Sequence, residues 1–461
     1  MSLVLGVDSS TQSTKAVLVD AADGTVVAQQ SAPHPPGTEV DPRAWRAAFD
    51  EATAGLLTRA DAVAVAGQQH GMVAVDDAGD PVRDALLWND TRSAGAAHDL
   101  IEEMGGPDAC ASALGSVLVA SFTVTKLRWL RDHEPTAAVR VASVLLPHDY
   151  VSAHACAPGT PSFTDRGDAS GTGYFATADG TWRPDLAAAA LGHEIALPRI
   201  VAAGAVAGHT GSGQVVAAGT GDNMGAALGL GLGPGDVLVS VGTSGVASCV
   251  SATAVADGSG TVTGFADAQG AFLPIVATMN AARILDHQAR WLGVDLATLS
   301  DLALASEPGA HGVSFLPYYG GERTPNRPDA VGTWTGLTDA TTREDLARAA
   351  FEALLCSLAD AVDHLAGVTG EEPRRILMVG GATRSPALQA LAPAILARPV
   401  TLPPPGEYVA LGAARQAAWA LAGTPDPPTW HLADTVELTA DPTSYVREGY
   451  ARLRDRTATW S

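Results

Sequence analysis

The strongest constraint on the fold is a plan that occurs twice. Leu3-Val4-Leu5-Gly6-Val7 is a short apolar run ending in Asp8; Ser9-Ser10-Thr11-Gln12-Ser13-Thr14-Lys15 follows, and a second run, Ala16-Val17-Leu18-Val19, ends in Asp20. Two β-type runs joined by a polar turn predict a hairpin with hydroxyls and one lysine gathered at its tip. The plan returns at Asp236-Val237-Leu238-Val239-Ser240-Val241, followed by Gly242-Thr243-Ser244-Gly245 and Val246-Ala247-Ser248-Cys249-Val250. Each copy opens a segment of roughly 230 residues, and Gly229-Leu230-Gly231-Leu232-Gly233-Pro234-Gly235 between them is rich in residues that break regular structure. A duplicated architecture is therefore expected, with domains at residues 1–233 and 234–461. Strands alternate with longer helical stretches in both halves, which predicts the α/β class.

One helix is clear from its pattern. Thr341 with Glu344 predicts a capping box, and Leu346, Ala350, Ala353, Leu354 and Leu358 recur at helical spacing down to Val362. Pro403-Pro404-Pro405-Gly406 ends a strand-like Val400-Thr401-Leu402, and Pro425-Asp426-Pro427-Pro428 is expected to open a C-terminal stretch of lower order. Cys110, Cys156, Cys249 and Cys356 lie far apart with no CxxC pair, so buried thiols are expected rather than a zinc knuckle or a disulfide framework. The first eight residues lack a basic leader and reach Asp8 before an apolar core could form, and no segment supplies 18 uninterrupted apolar residues. A cytoplasmic location without membrane partners is the expectation.

Charge narrows the partners further. There are 28 Lys and Arg against 50 Asp and Glu, a formal net charge of −22, and no cationic run longer than Arg374-Arg375. Nucleic acid is thereby disfavoured, because neutralising a phosphate backbone takes clustered cations.

Several strings carry chemistry. The turn of Thr11, Gln12, Ser13 and Thr14 offers closely spaced donors for a phosphate chain, with Lys15 as a point charge, although an ordinary polar turn would look the same. Asp8, at the preceding strand end, is a hard oxygen ligand suited to magnesium. In the second copy, Gly242 and Thr243 let the backbone approach a polyanion closely. Two such hairpins facing each other would grip one nucleotide triphosphate. A third glycine-rich turn, Gly380-Gly381, follows the apolar run Ile376 to Val379 and leads through Ser385 into a helix start, a place where nucleotides commonly sit. No GxxxxGK[ST] loop is present, and the Gly229–Gly233 string lacks the strand-to-helix setting of a dinucleotide loop.

Gly219-Thr220-Gly221-Asp222-Asn223-Met224-Gly225 sets an isolated carboxylate between glycines at a predicted helix start. An N-cap would explain Asp222; flanking glycines on both sides suit a carboxylate that a substrate must reach. Gln69-His70 follows the apolar run Ala62 to Ala66, and Trp88-Asn89-Asp90 follows Leu86-Leu87. Each places polar groups at a strand end, and sugars take such groups beside an aromatic plane.

Together these residues resemble the FGGY family of carbohydrate kinases over essentially the whole chain. Ser121-Phe122-Thr123-Val124-Thr125-Lys126-Leu127-Arg128-Trp129-Leu130-Arg131-Asp132-His133 fits the family's first signature. Gly332-Thr333-Trp334-Thr335-Gly336-Leu337, with Asp345-Leu346 and Ala349-Ala350-Phe351-Glu352, fits the second, and Ser314-Phe315-Leu316-Pro317-Tyr318 with Gly320-Gly321-Glu322-Arg323-Thr324-Pro325 fits a segment between them. The resemblance implies two ribonuclease-H-like domains of the actin and hexokinase type flanking a deep cleft, often in homodimers. It implies an N-terminal domain with the sugar and the base, a C-terminal domain with the nucleotide, and transfer of the γ-phosphoryl group of ATP to a ketopentose. D-xylulose is the acceptor implied first, before ribulose, gluconate, rhamnulose or glycerol; an actin-like ATPase without a sugar acceptor is the reading from another class. Asp8 and Mg2+, Thr11 to Lys15, Gly242-Thr243, and Gly380-Gly381 with Ser385 would serve the nucleotide. Gln69, His70, Trp88, Asp90 and Asn223 would hold the sugar, with Asp222 as catalytic base at an ordinary carboxylate pKa. Two places depart from the family pattern: Ser10 stands where a glycine is usual, and Gln69 where ketopentose-phosphorylating members typically carry Met.

Overall fold

The computed structural model describes residues 2–460. Leu3–Ser9 and Ser13–Asp20 form the expected hairpin, antiparallel from Leu3↔Asp20 to Ser9↔Thr14. Val4, Leu5 and Val7 are all fully buried, which requires cover on both faces of the strand. Alternation decides which face each serves: Leu5 and Val7 join a cluster with Trp45, Phe49, Val63, Val65 and Tyr150, while Val4 joins Ala62, Ala64 and Ala66 under the alanines of the helix Tyr408–Ala422. Small residues on that helix allow a close approach. A Cβ on Gly6 would stand 1.9 Å from the carbonyl oxygen of Ala410, and one on Gly225 of the helix Asp222–Gly229 would meet Ala66 and Val409.

Contacts group the chain into two units interleaved in sequence. The first comprises Met1–Leu232, Ala252–Leu273 and Gly406–His431; the second comprises Gly233–Ser251, Pro274–Pro405 and Leu432–Ser461. Residue 233 is thus the first of several crossings, and two stretches beyond it return to the first unit. In the first unit the sheet runs Val206–His209, Val215–Ala217, Ala62–Gly67, Leu3–Ser9, Ser13–Asp20, Val26–Pro33, with Thr220–Gly221 also on Ala62–Gly67. Three antiparallel strands are followed by two parallel ones, Ala62–Gly67 beside Leu3–Ser9 and Val215–Ala217 beside Ala62–Gly67. The second unit repeats this order: Phe272–Thr278 (from Pro274 on), Gly245–Cys249, Asp236–Val241, Arg375–Val379, Val400–Leu402, then Val436–Leu438.

Two local expectations are corrected. The helix Arg343–Thr369 is capped by Thr342 with Asp345, whose backbone N–H and side chain exchange hydrogen bonds with Thr342, whereas the hydroxyl of Thr341 accepts from the N–H of Thr338. The sequence offers the same spacing one residue earlier, but the Thr341 hydroxyl is held in the preceding turn by Thr338. The stretch after Pro425 is also more ordered than expected, supplying the strand Val436–Leu438 and the helix Ser444–Arg456. That helix buries Val446, Tyr450 and Leu453 and pairs Arg447 and Arg454 with Asp360 of Arg343–Thr369. All four cysteines are buried and free, and no helix among the described residues is long and apolar enough to cross a membrane.

Candidate active site

In the first unit three strands run parallel and end together: Asp8 is opposite Ala66, Ser9 opposite Gly67, and Gly221 opposite Gly67. Asp8, Gln68-Gln69-His70 and Asp222 therefore stand at neighbouring carboxyl ends, the edge of an α/β sheet where ligands gather. The hairpin turn beside them is pinned. The N–H and hydroxyl of Ser10 both donate to the carbonyl of Ser13, at 3.0 and 2.9 Å, so the serine in the glycine's place closes the turn. Thr11 donates to Gln68 Oε1 at 3.2 Å and accepts from Trp88 Nε1 at 2.9 Å, which leaves a 46% exposed indole standing over the turn. Gln12 is exposed and Ser13 partly so.

Asp8 is 5% exposed, and its Oδ1 has no hydrogen-bond partner. Burial, reinforced by the charge of Asp222, pushes its carboxyl up to about 8, against the pull of Lys15. Lys15 faces it across the hairpin and is paired at 2.6 Å with Glu407, a residue some 390 positions away whose presence no local pattern announces. Among the described residues no group of three or more His, Cys, Asp or Glu could hold a metal ion unaided. An orphaned buried carboxylate oxygen fits magnesium, which is typically bound through one or two carboxylates, substrate phosphates and water.

Asp222 is the first residue of its helix, and Gly221 is the N-cap, so the carboxylate is not spent on capping. Its Oδ1 accepts from the N–H of Asn223 at 2.8 Å and from Asn223 Nδ2 at 3.1 Å. Burial pushes its pKa up to about 6, which corrects the expectation of an ordinary value; the bond from Asn223 works the other way but is outweighed. The same Asn223 amide donates to Gln69 Oε1 at 2.8 Å, so Gln69 is linked to Asp222 through Asn223. A polar side chain in place of Met thus has a local reason. Gln69 Nε2 is buried without a partner. The glycines around Asp222 also have packing reasons: a Cβ on Gly221 would lie 2.8 Å from Gln69 Cγ, and one on Gly229 would lie 2.0 Å from the carbonyl oxygen of Tyr408.

His70 adopts φ +67, uncommon for a residue with a Cβ. Its Nδ1 lies 2.7 Å from the carbonyl oxygen of Gly171, which can only accept, so Nδ1 carries the hydrogen. The ring packs against Phe122 and Phe265, at 5.0 and 5.6 Å, and those two rings touch each other at 6.2 Å. Asp90 differs from the others: it is buried, with Oδ2 taken by Thr38 and Oδ1 by the N–H and guanidinium of Arg92, so it braces its own loop. Beneath Gly219 to Asp222 lies a buried cluster that the sequence patterns missed. His148 Nδ1 is 2.7 Å from Asp168 Oδ2, His148 Nε2 is 3.1 Å from Asp149, and Asp165 accepts from Thr220 and from the N–H groups of Gly167 and Asp168. Their signal in sequence is only a scatter of polar residues in apolar surroundings.

In the second unit, Gly242-Thr243 forms the tip between Asp236–Val241 and Gly245–Cys249, with Thr243 exposed. Gly380 ends the parallel neighbour Arg375–Val379 at φ +107, and a Cβ there would stand 2.4 Å from the carbonyl oxygen of Val241. The two glycine turns are thus brought side by side, while Gly381 faces open space. Ser385 caps the turn leading to Pro386–Leu396, and its hydroxyl donates to Ser300 at 3.2 Å.

The chain matches two family models: the N-terminal domain of the FGGY family of carbohydrate kinases over residues 3–231, and the C-terminal domain of the same family over residues 237–421. A xylulose kinase of Streptomyces coelicolor is 47% identical over 436 residues, covering 91% of this chain and 88% of that one. A xylulose kinase of Streptomyces rubiginosus is 45% identical over 440 residues with the same coverage. The crystal structure of xylulose kinase from Bifidobacterium adolescentis matches with a TM-score of 0.92 at 44% identity, covering 98% of this chain and 99% of that one.

Proposed function

The chain belongs to the FGGY family of carbohydrate kinases and has that family's two-domain fold, and from this premise we propose that it transfers the γ-phosphoryl group of ATP to O5 of D-xylulose. The products are D-xylulose 5-phosphate and ADP. The observation that carries this reading is the convergence of a hydroxyl-rich turn, Asp8, Gln69-His70 and an uncapped Asp222 at neighbouring strand ends.

In this reaction the Asp222 carboxylate accepts the O5 proton as O5 bonds to phosphorus and the bond from phosphorus to the ADP oxygen breaks. Phosphoryl transfer through a loose transition state releases that proton late, so a carboxylate suffices as base. A pKa near 6 makes Asp222 a stronger base than an exposed aspartate while leaving it mostly ionised at neutral pH. Asn223 donates to its Oδ1 through both its N–H and its side-chain amide, and Gln69 Oε1 accepts from that amide, which fixes the carboxylate's orientation. His70 and the indole of Trp88 would contact the ketose; Asp90 would act on it through the loop it braces. The turn Thr11, Gln12, Ser13 and Lys15 would take the transferring phosphate, and Gly242, Thr243, Gly380, Gly381 and Ser385 the rest of the nucleotide. Asp8 would hold magnesium, which when bound supplies charge neutralisation to the β and γ phosphates. ATP supply and four free buried thiols both suit the cytoplasm as its compartment.

ADP release measured by a coupled assay against a panel of ketoses, polyols and sugar acids tests the assignment. D-xylulose should give the highest kcat/KM; a higher value for ribulose, gluconate, rhamnulose or glycerol would replace it.

A further inference from the structure

Lys126 is 0% exposed, and among the described residues no carboxylate lies within ion-pair distance of it. Its Nζ donates instead to two backbone carbonyls, those of Ser121 and, at 3.3 Å, His70. The hydroxyl of Thr123 donates to the same His70 carbonyl at 3.1 Å. Thr123 and Lys126 are three residues apart at the start of the helix Thr123–His133, so both project from one face onto one oxygen. The N–H of Val124 donates to the carbonyl of Thr172 at 2.8 Å, next to Gly171, whose carbonyl takes the imidazole of His70. One helix end therefore fixes both the backbone of His70 and the loop that orients its ring.

An ammonium buried without a counter-charge is costly, and an apolar residue would fill the same space more cheaply. The left-handed backbone of His70 is also costly and persists only where its surroundings over-determine it. The two costs meet at a single carbonyl. We propose that Lys126 and Thr123 are positioning residues that clamp the His70 carbonyl, hold the left-handed peptide, and so present the imidazole to the sugar. The proposal rests on the reading of His70 as a sugar-binding residue. Burial holds Lys126 down at about 7, partly offset by the charge of Asp90; even as a neutral amine it keeps two N–H donors, so the clamp works on both sides of that value.

The test separates sugar affinity from nucleotide affinity and from turnover. In K126M, which keeps length and removes the donors, the sugar KM should rise about tenfold or more, the scale of one charge-assisted hydrogen bond, with the ATP KM unchanged. T123V should act in the same direction, and T123S, which keeps the hydroxyl, should restore the wild-type sugar KM. H70A separates the two layers. If H70A raises the sugar KM while K126M and T123V leave it at the wild-type value, the clamp is wrong and the reading of His70 stands. If H70A leaves the sugar KM unchanged, His70 does not hold the sugar and the proposal falls with it. Should K126M fail to fold, the T123V and T123S pair decides: equal sugar KM values in the two would overturn the clamp.

Discussion

At Asp222 the chemistry turns on a balance between burial, which raises the pKa to about 6, and the N–H of Asn223, which lowers it. Below that value the carboxyl is protonated and cannot accept the sugar proton; above it the base is ready. With magnesium saturating, kcat should therefore fall on the acid side with an apparent pKa near 6 and be level toward pH 8. An acid limb near 4, as for an exposed aspartate, would contradict the account. In D222N the turnover should drop by roughly 10² to 10⁴, and the residual activity should lose the acid limb. Asp8 is coupled to this through charge, since Asp222 is one of the reasons its own carboxyl is raised. A bound cation relieves that strain, which is why the profile is to be taken at saturating metal.

Among the elements, the helices Asp222–Gly229 and Tyr408–Ala422 do most to place the base, and they touch through glycine. A Cβ on Gly229 would lie 2.0 Å from the carbonyl oxygen of Tyr408 and 2.8 Å from the backbone nitrogen of Gly412. Backbone cannot step aside as a side chain can, so G229A should cost about 1–3 kcal/mol of stability by overpacking. The denaturant midpoint measures this, and an unchanged midpoint would show that the helices do not need the close approach. This contact also marks where sequence stopped being legible. The hairpins, the strand before Gly380 and the body of the helix Arg343–Thr369 as far as Val362 follow from patterns within a short window. The helix Tyr408–Ala422 returns to the first unit from far along the chain, and Glu407 at its start meets Lys15. No window of sequence contains both partners. The glycines near Asp222 looked like clearance for a substrate, and packing accounts for Gly221, Gly225 and Gly229. Gln69 looked only like a ligand to the sugar, yet its carbonyl oxygen is taken by Asn223. The His148, Asp149, Asp165 and Asp168 cluster, with Thr220 bonded to it, is assembled from three separate stretches and has no linear signature.

For the molecule as a whole, a net charge of −22 disfavours partners that need a cationic face, yet the proposed nucleotide is itself a polyanion. Attraction must then be local. The only lysine in the first hairpin is already paired with Glu407, and the Asp222 carboxylate adds negative charge near Asp8. Backbone donors alone are weak against that field, so ATP binding should depend steeply on magnesium. Calorimetric titration with ATP at fixed ionic strength should show affinity falling at least about tenfold when EDTA replaces magnesium; equal affinity would mean that Asp8 does not serve a cation. The central claim is phosphoryl transfer to a ketopentose, and its most direct measurement is the fate of the phosphate. Incubation with ATP, magnesium and D-xylulose, followed by phosphorus and carbon NMR, should show one phosphate on C5 for every ADP formed. ADP accompanied by free phosphate, with the sugar unmodified, would contradict the account.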